Sequence, residues 1–288
     1  MYQFPIGVLL ESFRTDVKTS LATAKELGIS AVQVHCAGRT FNADTVTETE
    51  IKEFLKLLND SGLELSAVCG DFICGNPNYS FHKQEKQQIV IEKSKRILNL
   101  AKELGTNIIT THVGVVPEDQ DSDKFKRMQE TYGELARYAE MYDAHFAIET
   151  GPEVATTLKA FLDGIHSKGV GINLDPANLV MVTGDDPVQA VHTLKDYIVH
   201  THAKDGRRLI HENPEIIYGE IETEIQKAQY FIELPLGEGD VDFTNYLKAL
   251  DDIGYRGYLT IEREIGDNPK ADISKAAQFL KQLQQNNA

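Results

Sequence analysis

Four side chains able to hold a cation close successive apolar runs in the second half of this chain. Phe146-Ala147-Ile148 ends in Glu149, Val170-Gly171-Ile172-Asn173-Leu174 in Asp175, Ile198-Val199-His200-Thr201 in His202, and Tyr258-Leu259-Thr260-Ile261 in Glu262. Any one of them alone reads as a cap or turn residue, the ordinary duty of a short polar side chain past a strand. Four consecutive runs that each end in a metal-competent group are hard to attribute to capping. Carboxylates gathered on one rim repel each other strongly unless a divalent cation sits between them. Three oxygens and one nitrogen suit a single Mn²⁺, Mg²⁺, Co²⁺ or Zn²⁺, with positions left for water or substrate oxygens. His200 lies two residues before His202, so both point to one face of a strand and either could be the ligand. His202 is favoured because it lies nearer the rim.

Such convergence needs a scaffold that delivers successive strand ends to one place. A helical stretch, a glycine and a short β-rich run recur at Gly28, Gly62, Gly105, Gly169 and Gly254. A glycine just past a helix takes the left-handed conformation at low cost and turns the chain back toward a sheet. Between these joints the helical period holds, with Val17, Leu21 and Ala24 on one face, then Ile51, Leu55 and Leu58, then Ile97, Leu100, Ala101 and Leu104. Eight strands are expected near 6–13, 31–37, 63–70, 107–114, 145–150, 170–176, 197–204 and 257–262. Strands alternating with helices imply a parallel sheet, and eight repeats in 288 residues favour an α/β fold closed as a (β/α)₈ TIM barrel. Residues 1–288 then form a single domain, with a long loop insertion at about 203–239 after strand seven. In that architecture chemistry collects at the C-terminal strand ends, where the four groups lie.

The composition narrows the partners. Asp and Glu number 44 against 29 Lys and Arg, a net charge of −15 that repels nucleic acid and anionic membrane. Cys36, Cys69 and Cys74 are odd in number and lack CxxC spacing, which disfavours a disulfide framework or a Cys-based zinc ribbon. No run approaches the ~18 apolar residues of a membrane span, and the first residues do not read as a signal peptide. The expectation is a cytoplasmic protein with no nucleic-acid and no membrane partner.

Glu149-Thr150-Gly151, Leu174-Asp175-Pro176-Ala177-Asn178, His200-Thr201-His202-Ala203-Lys204-Asp205, Leu236-Gly237-Glu238-Gly239 and Ile261-Glu262 resemble motifs of the xylose isomerase-like TIM barrel superfamily, in its sugar phosphate isomerase/epimerase branch. The resemblance spans nearly the whole chain. It implies one divalent metal on Glu149, Asp175, His202 and Glu262, a proton exchanged by the two glutamates, and a substrate contact from Arg208, six residues past the metal histidine. His112, which ends strand four, corresponds to a residue beside the substrate in the isomerases. Such relatives often form dimers or tetramers, so a homo-oligomer is an open expectation. Two departures bear on the reaction. The 3-epimerases carry a histidine where this chain has Asn178, and the distant relative endonuclease IV needs that histidine for its zinc cluster. His211-Glu212-Asn213 echoes another zinc segment of the nuclease, but Leu209 stands where its aspartate belongs.

The expected activity is therefore a metal-dependent isomerase or epimerase of a small sugar, sugar phosphate or related polyol, working through a metal-stabilised enediolate. Glu149 and Glu262 act as base and acid in turn, because a carboxylate cannot remove a proton beside a carbonyl unaided. Lys204 and Arg208 hold a hydroxyl or phosphate, and His112 a further hydroxyl. Asp205 reads as a loop cap, Glu238 as a turn residue and Glu153 as a rim carboxylate within reach of substrate. The competing readings are an endonuclease IV-like phosphodiester hydrolase, which requires a basic groove, and a metal-dependent polyol dehydratase.

Overall fold

Parallel strands covered on both faces read as short, nearly continuous apolar runs, and these strands are of that kind. The computed structural model describes residues 3–73, 76, 78–221 and 229–286. Cys74 and residues 222–228 of the insertion lie outside them. Eight parallel strands are β1 (Ile6–Leu9), β2 (Ala31–His35), β3 (Glu64–Cys69), β4 (Ile108–Thr111), β5 (His145–Glu149), β6 (Val170–Leu174), β7 (Ile198–Ala203) and β10 (Leu259–Ile261). They close in the order β1-β10-β7-β6-β5-β4-β3-β2, with Ile6 opposite Leu259 at the seam. The chain is a (β/α)₈ TIM barrel.

Eight helices form the outer layer: α1 (Val17–Glu26), α2 (Glu48–Ser61), α3 (Gln84–Leu104), α4 (Asp123–Glu140), α5 (Ala155–Asp163), α6 (Pro187–Thr193), α7 (Phe243–Asp252) and α8 (Pro269–Asn286). Their starts are set locally. Asp16, Thr47, Ser122, Asp186 and Asp242 each accept a backbone N–H of the first turn, and Thr47 with Glu50 completes a capping box. Four of the five glycine joints have positive φ, as a left-handed turn requires. Gly169 does not. Its Cβ would lie 1.9 Å from the Ala136 carbonyl, so glycine serves there to let strand entry pass against α4.

The insertion after strand seven differs from a plain loop. It contains an antiparallel pair, β8 (Asp205–Arg208) and β9 (Phe231–Leu234), and one helical turn at Pro214–Ile217. Arg263 just past β10 donates to Glu233 of β9 at 2.6 Å and to Asp272 of α8 at 2.9 Å, which pins the pair beside the barrel mouth. Lys124 in the first turn of α4 bonds both Glu215 and Glu220 at 2.6 Å and ties down the other side. None of the helices among the described residues is long and apolar enough to cross a membrane.

Candidate metal centre

Period-two alternation aims every second residue of a barrel strand inward. On β7 this sends His200 and His202 inward, with Lys204 just past the strand's end, and on β10 it does the same for Thr260, with Glu262 just past the end. The register aligns them: Glu149 pairs with Asn173, Asn173 with His200, and Thr260 with His202. One ligand atom each from Glu149, Asp175, His202 and Glu262 lies within 4.8 Å of all the others. His202 Nδ1 sits 3.3 Å from Glu262 Oε2, 3.5 Å from Asp175 Oδ2 and 3.7 Å from Glu149 Oε1.

The groups around the cluster decide what it can hold. Gln33 donates from Nε2 to Thr110 Oγ1 at 2.8 Å, so its Oε1 faces His202 Nε2 at 2.9 Å and accepts that N–H. With Nε2–H so held, the neutral imidazole would turn its Nδ1 lone pair into the cluster, the arrangement a metal-binding histidine needs. His200 stands one layer deeper, donating from Nδ1 to Asn173 Oδ1 at 2.9 Å and accepting at Nε2 from Thr260 at 3.0 Å. Both its nitrogens are occupied, so His202 is the histidine of the cluster.

Asp175 does two things at once. Its Oδ1 accepts the Asn178 N–H at 2.9 Å and caps the helical turn Pro176–Asn178, as a strand-end aspartate should. Its Oδ2 is buried and has no hydrogen-bond partner. A buried, orphaned carboxylate oxygen among two further carboxylates and an imidazole lone pair fits a bound divalent cation, which would supply the missing partner. Thr150 holds the Asp175 backbone from both sides, accepting its N–H and donating to its carbonyl, each at 2.9 Å. Gly151 follows at φ 143°, where a Cβ would approach Asn178 Cβ to 2.5 Å. The Glu-Thr-Gly triplet thus provides a ligand, a brace and clearance.

Without a cation the charges settle among themselves. Burial opposes a charge on His202, but Glu262 and Glu149 overcome it and hold the imidazole protonated well above its ordinary range. Burial likewise opposes ionisation of Glu262, which Lys204 and His202 nevertheless pull well below the usual carboxylate range. Asp175 is pushed up, chiefly by burial. The protonated imidazole thus stands among the carboxylates as the local cation.

The remaining expected residues are placed unevenly. Lys204 is buried and donates to Glu262 Oε2 at 2.9 Å and to Glu264. His112 is held by Asp71 Oδ2, 3.0 Å from Nδ1, and brings Nε2 to 4.0 Å from Glu149 Oε1. Both line a cavity of about 520 Å³ above the cluster, together with His35, Asp71, Tyr218 and Glu233. Arg208 does not line it; its Nη1 donates to the Thr183 carbonyl at 2.8 Å. Asp205 accepts the N–H groups of Gly206, Gly237, Gly239 and Val241, and Glu238 lies in the turn so held. Glu153 is buried behind the rim, accepting the Val116 N–H at 3.2 Å. Asn178 donates from Nδ2 to Glu149 Oε1 at 2.9 Å, so it orients a ligand of the cluster. Gln33, Asn173 and Asp71 carry no signal in the sequence, because amides inside strands and an aspartate in a loop belong to no motif.

The chain is thus a closed TIM barrel with a carboxylate-imidazole cluster at its C-terminal mouth that could hold a metal ion. Residues 21–283 match the family described as xylose isomerase-like TIM barrel, and the chain belongs to it. An uncharacterised protein of Methanocaldococcus jannaschii is 23% identical over 85% of this chain and 78% of its own length. Inosose dehydratase of Clostridium perfringens is 26% identical over 48% of this chain and 46% of the enzyme, so the chain spans about half of that relative. Among solved structures, a xylose isomerase domain protein from Planctomyces limnophilus superposes with a TM-score of 0.79 at 27% identity, covering 98% of this chain and 97% of the other. A D-tagatose 3-epimerase-like protein superposes at 0.73 and 20% identity over 99% of this chain and all of the other, a likeness of fold.

Proposed function

We propose that the protein is a divalent-metal-dependent isomerase or epimerase of a small sugar, sugar phosphate or related polyol. The observation that carries this is the pair of glutamates, buried Glu149 from β5 and mostly covered Glu262 beyond β10, meeting at one cation-ready cluster beneath a polar cavity. A bound divalent ion would polarise a substrate carbonyl and stabilise the negative charge that develops when the neighbouring proton leaves. Glu149, Asp175, His202 and Glu262 would hold that ion. Glu149 removes the proton and Glu262 returns one, or the reverse, each carboxylate reaching the substrate from a different strand. Asn178 keeps Glu149 oriented, Lys204 keeps Glu262 ionised, and His112, fixed by Asp71, presents its Nε2 to a substrate hydroxyl. Arg208, turned to Thr183, has no place in this reading of the reaction. The substrate is a small carbohydrate, and a cytoplasmic site of action remains part of the proposal.

A second reading, dehydration of a polyol, shares the proton abstraction and differs in losing a hydroxyl; the similarity to inosose dehydratase favours keeping it. Phosphodiester hydrolysis is disfavoured because the Asn178 amide is committed to Glu149 and the cavity wall is acidic.

The test is incubation of the metal-loaded protein with ketoses and keto-polyols in deuterated water. Deuterium should enter the substrate at the carbon beside the carbonyl, and loss of water should mark the dehydratase reading. Glu149→Gln and Glu262→Gln should each lower turnover at least a hundredfold, the scale of a general base or acid. Near-normal turnover in either variant removes that residue from the pair, and no exchange with any compound removes the reading.

A further inference from the structure

A second cavity, of about 530 Å³, lies directly beside the one above the cluster. His112 and Tyr218 line both, their rings 5.7 Å apart, so this pair is the partition between the two spaces. Either space alone falls in the range of about 300–1,000 Å³ typical of small-molecule sites. A single six-carbon sugar on the cluster leaves the second one unused.

The second cavity combines polar groups paired within the protein with others that are left open. Ser80 Oγ accepts the N–H groups of His82 and Lys83 at 3.3 and 3.2 Å and lies 3.2 Å from His82 Nδ1, which fixes the imidazole. His82 Nε2, the Lys83 ammonium and the Tyr79 hydroxyl have no hydrogen-bond partner among the described residues. Tyr79 is itself held edge-on by Phe72 at 4.8 Å. Opposite them, the Lys124 ammonium is shared by Glu215 and Glu220. Lys83 and Lys124 therefore face two carboxylates, and the space is close to neutral overall, with donors and acceptors of both signs beside aromatic rings. That combination suits a hydroxyl-rich ring rather than an anion, for which an uncompensated cationic cluster would be expected.

We propose that this second cavity is a subsite for a further sugar ring, so that the substrate is a glycosyl-ketose whose reducing unit sits on the cluster and whose second ring lies beyond the His112–Tyr218 partition. The proposal rests on the reading of the cluster as a sugar site and deepens it.

Equilibrium binding separates the two. Calorimetry on the Mn²⁺-loaded protein compares fructose, fructose 6-phosphate and glucosyl- or galactosyl-fructoses linked through O4 or O6. At least one linkage isomer should bind tenfold or more tighter than fructose, and His82→Ala should erase most of that margin. Tyr79→Ala should do the same, so one badly folded variant does not decide the matter; a thermal melt of each checks the fold. Disaccharides that bind no tighter than fructose, or not at all, overturn the subsite. So does tightest binding by fructose 6-phosphate with sensitivity to His82→Ala, which makes the cavity an anion site. Disaccharide binding without deuterium exchange leaves the subsite standing and removes the proposed reaction instead.

Discussion

At the scale of single residues, the cluster depends on groups outside its four members. Gln33 is buried within β2, and its amide oxygen faces His202 Nε2 at 2.9 Å, where it accepts that N–H. Replacing it with a side chain of similar size but no acceptor, Gln33→Leu, frees the tautomer and should weaken Mn²⁺ binding by about 10–100-fold, as loss of a ligand's hydrogen-bond partner generally does. Titration calorimetry measures this, and unchanged affinity would show that the amide does not set the ligand. Glu153 carries a different consequence. Burial raises its carboxyl from 4.5 to about 8, against the pull of the Val116 N–H and of His112, and its Oε1 has no partner. A carboxyl that holds its proton more tightly when folded contributes fully below about 4.5, and that contribution is lost as the pH climbs through about 8. Urea unfolding of the wild type at pH 5.5 and 8.5 should therefore show a fall in stability that Glu153→Gln reduces by about 2–4 kcal/mol. Parallel pH profiles for the two proteins would place the titration elsewhere. The four cluster residues were legible in the sequence because each closes an apolar run, whereas Gln33 and Asn173 sit in the interior of such runs and only register reveals them.

At the scale of elements, the barrel repeat and the place of the insertion were readable, and the strand pair inside the insertion was not. Helix, glycine and apolar run recur often enough to count eight strands, and Asp16, Thr47 and Asp242 mark helix starts by their chemistry. The segment Asp205-Gly206-Arg207-Arg208 has no alternation of apolar and polar residues, so nothing local announces a strand. It becomes one because Asp205 gathers four backbone N–H groups, and because β9 supplies the partner. Asp205 also explains the close packing of the Leu236–Gly239 turn: a Cβ on Gly239 would approach Asp205 Oδ1 to 2.1 Å. Asp205→Ala leaves those N–H groups to find water or go unpaired and should destabilise the protein by roughly 2–4 kcal/mol. Limited proteolysis should then cut faster between residues 235 and 241, while far-ultraviolet circular dichroism stays unchanged. Equal cutting rates would mean that the Arg263 pairs with Glu233 and Asp272 hold the insertion without Asp205. Arg208 shows the same limit of local reading: six residues past the cluster histidine in the chain, it is carried by the β8 pairing to the Thr183 carbonyl.

At the scale of the whole molecule, three carboxylates converge in the barrel mouth of a chain that already carries a net charge of −15. The self-repulsion of such a charge opposes the compact state, and it is concentrated where Glu149, Asp175 and Glu262 meet, with His202, Lys204 and His112 as the nearby counter-charges. A divalent cation bound there would relieve that repulsion in the folded protein, while the unfolded chain scatters the four groups and would have little affinity for it. Folding stability should therefore rise with metal concentration, by about 2.7 kcal/mol once the free ion exceeds its dissociation constant a hundredfold. For a chain of this size that corresponds to roughly 5–10 °C in Tm. Differential scanning calorimetry with Mn²⁺, Mg²⁺, Co²⁺ or Zn²⁺ against a chelator-treated sample reads the shift directly. Asp175→Asn removes one of the carboxylate charges and its orphaned oxygen, so the same variant should melt at least as high as the wild type in chelator and gain almost nothing from metal. That crossing of the two proteins is specific to a cation at this cluster, because ions adsorbed elsewhere on the acidic surface would raise both melting points alike. A wild type indifferent to all four metals would mean that His202, protonated between its carboxylates, is the cation the cluster was built around.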